Sequence, residues 1–153
     1  MELSDVDVYR LNIPLNDTYE IAGAATAALD TILVVLADAD GHRGLGTADP
    51  IAGHPIPQTA AEIVDGLVDD LLPTIADRTP QSPNELLDRF DAVVGQENGK
   101  CALEMAFLDL FCRRADVSLA DFFGGALVDR EPLNAWVGVD DPRAMGTDAR
   151  RWR

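Results

Sequence analysis

The chain has 153 residues, of which 47% are hydrophobic and 25% are charged, so it can bury a core and is not a disordered tail. Its 27 acidic and 12 basic residues give a net charge of −15, which argues against binding to nucleic acid or to anionic lipid through a basic surface. Because no apolar run could span a membrane and the N-terminus lacks the pattern of a signal peptide, we expect a cytoplasmic protein.

The first part of the chain predicts a three-stranded antiparallel meander. Residues 3–15 predict the first strand, and a change in the parity of its apolar residues indicates either a bulge or a strand covered on both faces. Residues 16–28 show no clean period and predict a loop. The continuous apolar run within residues 29–37 predicts a buried second strand. Gly41 marks a hairpin turn, and residues 43–48 predict the returning strand.

Helices are predicted after a second long loop at residues 49–57, which contains three prolines. The apolar spacing predicts four helices, beginning near Ala60, Pro83, Lys100 and Ser118. The helix from Lys100 to Arg114, opened by Asn98, is apolar nearly all round, which is typical of a central helix. Cys101 and Cys112 lie too far apart along it to pair with each other, so we expect two buried free thiols in a reducing compartment.

The last 26 residues follow a different pattern. Residues 131–139 alternate as a strand does, and Asp141 and Pro142 begin a helix that continues into the chain end. One strand and part of a helix do not make a domain. We therefore expect an α+β domain over residues 1–127 and the truncated start of a (β/α) barrel over residues 128–153.

The acidic bias has a composition of its own. Asp far outnumbers Glu, and Arg supplies all basic charge except Lys100, a pattern typical of proteins from salt-loving microbes, although an ordinary acidic protein is the alternative. Molar salt shortens the Debye length to about 3 Å, so repulsion between exposed carboxylates is largely screened. Asp38, Asp40 and Asp49 lack the spacing of a calcium-binding loop, and we interpret them as parts of this solvated surface.

Few residues in the chain suggest chemistry. Glu104 and Asp109 lie on different faces of the predicted central helix, and pairing with Arg113 or Arg114 explains them better than a metal site does. The two histidines, at 42 and 54, are lone histidines without metal-ligand partners, although His54 lies in a loop where it could contact a substrate.

Five segments, taken in order, resemble the N-terminal capping domain of the enolase superfamily, closest to its mandelate racemase and muconate lactonizing branch. The similarity covers nearly the whole chain. One departure is Thr47, which stands where the family commonly has Glu. The segments are Ile13-Pro14-Leu15, Thr31-Ile32-Leu33-Val34, residues 40–48 around three glycines, Ala102–Leu110, and Ser118–Gly125.

The resemblance implies an enzyme that removes the α-proton of a carboxylate substrate, with a Lys or His base and Mg²⁺ stabilising the enediolate. In the family these groups sit on later strands of a barrel, so no catalytic residue and no metal ligand is expected in this chain, which alone should be inactive. A racemase, epimerase or cycloisomerase is expected, and a sugar-acid dehydratase is an alternative. The full-length enzyme would bind a small carboxylate substrate and form a homo-oligomer.

The family's capping domain supplies a lid made of two loops, which correspond here to residues 16–28 and 49–57. The first loop is moderately apolar and offers no basic residue, which suits a substrate with a small or apolar tail better than a phosphorylated one. The expected substrate contacts are Tyr19, Ile21, Ala22, Gly23, Thr26, Ile51 and His54. The competing hypothesis is a stand-alone, non-catalytic interaction module of a halophilic organism. Both hypotheses predict exposed apolar residues where a barrel would lie.

Overall fold

The computed structural model describes residues 1–21, 24–50, 58–135 and 137–152, with backbone only at residues 17, 19–21 and 24. Three strands form one antiparallel sheet in the order β1 (Leu3–Ile21), β2 (Ala24–Asp38) and β3 (Arg43–Ala48). The α+β capping fold and its meander are therefore confirmed. No helix in these ranges is both long enough and apolar enough to cross a membrane.

Helices cover one face of the sheet. A helical stretch begins as α1 (Ala60–Asp65), continues as a π-helical segment (Gly66–Leu71) and ends as α2 (Pro73–Ala76). It is followed by α3 (Pro83–Phe90) and by the longest helix, α4 (Glu97–Arg114), which begins one residue before the predicted Asn98. The short α5 (Leu119–Phe122) and the C-terminal α6 (Pro142–Arg151) complete the fold.

The prediction of a loop at residues 16–28 is wrong, because the described residues of this segment belong to β1 and β2. The two strands pair as far as Ile21 and Ala24, with a register shift between Pro14 and Tyr19. The sequence shows no period there because no described side chain between residues 11 and 30 is buried. Without a buried face, a strand has no reason to alternate apolar and polar residues.

The apolar residues of β1 change parity because they lie on the two opposite faces of the strand, and β1 has no bulge at that point. The ladder between β1 and β2 is regular from Asp5 to Pro14. Val6 and Val8 pack against the core, whereas Tyr9, on the opposite face, is 46% exposed. The face of the sheet that carries Tyr9 is called the outer face below.

Two glycines in β3 bring α4 directly onto the sheet. A Cβ atom at Gly46 would overlap the backbone of Ala102, and one at Gly44 would overlap the backbone of Ala106. Helix backbone therefore occupies the space where side chains of the strand would otherwise lie. The fully buried Ile32, Val34 and Leu36 of β2 complete this core with Leu103, Phe107 and Leu110 of α4.

The expectations for the C-terminal residues are met in part. Asp141 caps α6 as predicted, since its side chain accepts hydrogen bonds from the amides of Arg143 and Ala144. Residues 131–135 and 137–139 form no strand, because a strand needs a neighbour to pair with. Several apolar side chains from this part of the chain are exposed, as both hypotheses expected: Phe123, Leu127, Val128, Leu133, Val139 and Trp152.

Both cysteines are free, and Cys112 is buried as predicted. The prediction of a buried Cys101 is wrong, because its position on α4 points away from the sheet and is exposed. Met105, one turn further along α4, is exposed on the same face, and its sulfur atom lies 3.9 Å from the sulfur atom of Cys101.

Candidate functional site

The described residues of the first predicted lid segment, 16–21 and 24–28, lie at one end of the sheet in the hairpin of β1 and β2. The last buried position of β2 on this side is Thr31, and β2 continues outward from there to Ala24. Four residues of β1, 15–18, lie opposite Ala27 alone, because Pro14 pairs with Ala28 and Tyr19 pairs with Thr26. Beyond this irregular stretch, residues 19–21 pair with residues 24–26, and we call this part the outer hairpin. The irregular stretch separates it from the regular sheet.

A partly buried hydrogen bond holds Asp49, the first residue of the second predicted lid segment. The hydroxyl of Thr31 donates to the Asp49 carboxylate over 2.5 Å, and only 7% of Thr31 is exposed. Asp49 directly follows the last residue of β3. The first residue of the predicted loop is therefore held against β2 at the base of the hairpin.

A chain of two side-chain amides fixes the end of the same segment. The amide nitrogen of Gln58 donates to the amide oxygen of Gln96 over 3.0 Å, and Gln96 in turn donates to Asp70 over 2.9 Å. The Gln96 side chain fits here because residue 66 is a glycine, and a Cβ there would overlap the Gln96 amide. We call Gln58, Gln96 and Asp70 the amide latch.

Gln96 is held in the left-handed conformation, with φ 61° and ψ 31° at the residue before α4. A residue with a Cβ adopts this conformation at a cost of about 1–2 kcal/mol, so it needs compensating contacts. The amide latch supplies them. Its partner Asp70 lies in the π-helical segment, and such segments are frequent near functional sites.

Directly after the latch, a capping box begins α1. Thr59 accepts a hydrogen bond from the Glu62 amide, and the Glu62 carboxylate accepts from the Thr59 amide over 2.7 Å. The amide and the hydroxyl of Thr59 both donate to the Glu62 carboxylate, and these bonds lower the pKa of Glu62 because they stabilise its ionised form. The latch residue Gln58 is therefore followed directly by the capped start of α1.

The structure brings together only some of the residues predicted to contact substrate. Tyr19 pairs with Thr26 across the outer hairpin, where Thr26 is half-buried, and Ile21 ends β1 opposite Ala24. The remaining four predicted contacts lie outside the described residues: Ala22, Gly23, Ile51 and His54.

One group of side chains in the described ranges has the composition of a metal site. Ligand atoms of Asp38, Asp40 and His42 lie within 4.8 Å of one another at the turn between β2 and β3. However, Arg114 donates to Asp38 over 3.0 Å and to Asp40 over 2.8 Å, so a guanidinium group already occupies the space between the two carboxylates. A metal ion would have to displace Arg114, and we assign none to this group.

This cluster corrects two sequence interpretations. Asp38 is buried and not part of the solvated surface, and His42 is not isolated, since its Nδ1 lies 3.1 Å from Asp38. Burial opposes ionisation of Asp38, but hydrogen bonds from His42 and Arg114 outweigh it and lower its pKa. The cluster ties the end of α4 to the turn, at the end of the sheet opposite the lid.

The two carboxylates of α4 considered in the sequence analysis, Glu104 and Asp109, are not part of the candidate metal group found among the described residues. Asp109 pairs with Arg113 over 2.9 Å and accepts a hydrogen bond from the Leu45 amide, as the structural interpretation predicted. Glu104 is half-buried.

Sequence reasoning missed the residues that hold the lid. Thr31 appeared only as part of a strand, and Gln96 carried no signal because glutamine is not typical of left-handed positions. Gly95 also has a positive φ, of 75°, and glycine is the residue type whose presence could have indicated a left-handed conformation here.

Comparison with known proteins agrees with this geometry. Residues 5–124 match the family model described as mandelate racemase / muconate lactonizing enzyme, N-terminal domain. An aromatic dipeptide epimerase of Herpetosiphon aurantiacus is 34% identical over 75% of this chain and 32% of its own length. An L-Lys-D/L-Arg epimerase of Methylococcus capsulatus is 26% identical over 98% of this chain and 42% of its own. The chain thus spans about a third to two fifths of these relatives.

Solved structures show the same fold. The L-Ala-D/L-Glu epimerase of Bacillus subtilis, solved with its substrate, superposes with a TM-score of 0.85 at 21% identity, over 99% of this chain and 42% of that one. A mandelate racemase/muconate lactonizing enzyme of Roseovarius nubinhibens, solved with magnesium, superposes with a TM-score of 0.85 at 24% identity. The superposition covers 99% of this chain and 41% of that one.

Proposed function

The chain belongs to the mandelate racemase/muconate lactonizing enzyme family, and from this premise we propose that it is the substrate-capping part of a larger enzyme. That enzyme abstracts the α-proton of a carboxylate substrate, as a racemase, epimerase or cycloisomerase does. The proposal places the proton-transferring groups in a barrel domain beyond residues 1–153. The observation that carries this proposal is that the residues on both sides of the second predicted lid segment have fixed contacts, Asp49 with Thr31 and Gln58 with Gln96.

The exposed apolar residues support a partner domain. A row of neighbouring aromatic rings leads outward from the core, from Phe107 through Phe111 and Phe122 to Phe123, which is 71% exposed. Leu127 and Leu133 are almost fully exposed, at 99% and 93%. Burying a leucine is worth about 1.5–3 kcal/mol, so a neighbouring domain that covers these side chains gains substantial stability.

Magnesium enters the proposal through the chemistry of the intermediate. An enediolate carries two negative charges, and a bound divalent cation stabilises them. The described residues do not fit this role, because their one candidate ligand group already holds Arg114 at the far end of the sheet from the lid. We therefore place the Mg²⁺ ligands in the barrel domain.

The lid residues indicate the substrate's tail. Residues 16–28 contain no Lys, Arg or His, and they offer Tyr19, Ile21, Ala22, Gly23 and Thr26. With Ile51 and His54 from the second segment, they suit a small or apolar group better than a phosphorylated one. Closing such a lid excludes water from the reacting atoms.

A transplant tests this role. Residues 16–28 replace the matching segment of the Herpetosiphon aromatic dipeptide epimerase, and kcat/KM is measured for dipeptides with aromatic and small side chains. We expect the ratio of kcat/KM between the two kinds of dipeptide to change by at least tenfold. Transplanting the β2–β3 turn, residues 38–43, is the control and should leave the ranking unchanged. An unchanged ranking with the lid transplant refutes the proposal, as does Mg²⁺-dependent turnover by the 153-residue chain alone.

We also propose that the acidic surface is an adaptation to a cytoplasm rich in salt. At a net charge of −15, molar KCl should stabilise the chain by screening repulsion. The melting temperature should rise between about 0.1 M and 2 M KCl, and no rise contradicts the adaptation.

A further inference from the structure

One side of α4 is left open by the rest of the described chain. Its other side packs on the sheet, on the face opposite the outer face, where Gly44 and Gly46 let the helix approach. Four residues on the open side follow the spacing i, i+3, i+4 and i+7, which places them in one stripe along a helix. Two of them are exposed and two are half-buried. We call these residues the open stripe: Cys101, Glu104, Met105 and Leu108.

Glu104 places a carboxylate in the middle of this otherwise apolar stripe. Each basic residue of α4 lies beside another acidic residue: Lys100 beside Glu97, Arg113 beside Asp109, and Arg114 beside Asp38 and Asp40. The pairing of Glu104 with Arg113 or Arg114, which the sequence suggested, is therefore not found among the described residues. A surface that covers the stripe must supply a cation, because a buried charge without a partner is strongly unfavourable.

We propose that the barrel domain of the larger enzyme packs on the open stripe, and that one of its lysine or arginine side chains pairs with Glu104. This inference rests on the proposed function. The stripe leads towards that domain, because Phe111, three residues after Leu108, belongs to the row of aromatic rings that ends at the exposed Phe123. The relatives have enough further chain to form the cover, since this chain spans only 32% of one and 42% of another.

A second copy of this chain fits the open stripe less well. A two-fold axis through the stripe brings the Glu104 carboxylates of both copies together, since the two sides of such an interface present the same residues. Like charges repel, and each copy carries a net charge of −15. A different domain can instead place a cation opposite Glu104.

Alkylation of Cys101 shows whether the stripe is covered. Iodoacetamide is added to the larger enzyme and to the 153-residue chain, and peptide mass spectrometry follows each cysteine. Cys101 should react at least about tenfold more slowly in the larger enzyme, because the barrel domain must open before the thiol is reached. The buried Cys112 should react slowly in both proteins. Equal rates at Cys101 overturn the proposal. A rate in the larger enzyme that rises on dilution also overturns it, because a second copy then supplies the cover.

Glu104→Gln tests the ion pair. In the larger enzyme it leaves the cation of the barrel domain unpaired, so it should lower the melting temperature and raise the Cys101 rate at least about threefold. In the 153-residue chain it should change the melting temperature little. Glu2→Gln removes the same charge from an exposed position and should leave the Cys101 rate unchanged. Circular dichroism confirms that each variant is folded. Equal destabilisation of both proteins by Glu104→Gln, or no effect on either, overturns the ion pair.

Turnover separates this inference from the proposed function. Mg²⁺-dependent turnover of a carboxylate substrate by a larger enzyme whose Cys101 is unprotected keeps the function and overturns the docking site. A protected Cys101 in an enzyme without such turnover keeps the docking site and contradicts the function.

Discussion

Replacing Gln96 should separate the cost of its backbone conformation from the benefit of the amide latch. Gln96→Ala removes the bonds to Gln58 and Asp70 and keeps a Cβ at φ 61°. Each such bond contributes about 0.5–1.5 kcal/mol, so this variant should lose about 2 kcal/mol of unfolding free energy. Gln96→Gly loses the same bonds but removes about 1 kcal/mol of left-handed strain. The expected order of stability is wild type, then Gln96→Gly, then Gln96→Ala.

Two measurements check this order. Urea unfolding gives the free energies, with Asn84→Ala on the exposed side of α3 as a control that should change little. Hydrogen exchange gives the local effect, because the Thr59 amide is protected by its bond to Glu62 and should exchange faster in both latch variants. Amides within α3 should not change. If Gln96→Ala is as stable as the wild type, or if Thr59 exchange is unaltered, the latch does not hold the lid segment.

Two further predictions concern the parts of the fold that support the lid. Gly46→Ala should lower stability by about 2 kcal/mol and the melting temperature by about 4–8 °C, because α4 must move off β3, whereas Gly146→Ala meets open space and should not destabilise the chain. The lowered pKa of Asp38 means that it binds protons less readily when folded than its ordinary value of 3.8 implies. Ionised Asp38 therefore contributes its full share of the unfolding free energy above about pH 5. This contribution is lost as the pH falls through the pKa of Asp38 in the folded chain. In about 1 M KCl, Asp38→Asn should flatten the fall in unfolding free energy between pH 5 and pH 3, and the exposed Asp88→Asn should not.

The elements that the sequence predicted well are those that bury one face. Ile32, Val34 and Leu36 are fully buried, and their run correctly predicted β2. Ser82 caps α3 as expected, accepting from the Glu85 amide, although Glu85 returns its bond to Gln81 and not to Ser82. Patterns of this kind are local, so a single sequence contains them.

The elements that could not be predicted depend on pairing between distant residues. The outer hairpin has no buried face, so only its cross-strand hydrogen bonds make it a sheet. The cluster of Asp38 with Arg114 joins residues 76 positions apart, and the latch joins Gln58 to a residue 38 positions away. Neither spacing leaves a periodic signal, because each contact joins residues that become neighbours only when the chain folds.

The distribution of these contacts has a consequence for specificity. The Asp38 cluster fixes α4 at one end of the sheet, Gly44 and Gly46 admit it in the middle, and the lid extends beyond its other end. Substitutions in the outer hairpin therefore remove no buried side chain among those described between residues 11 and 30. Because surface substitutions away from such features usually change stability by less than about 0.5 kcal/mol, residues of the proposed lid can change while the core stays the same. The relatives' different substrates are what such a separation of lid from core allows.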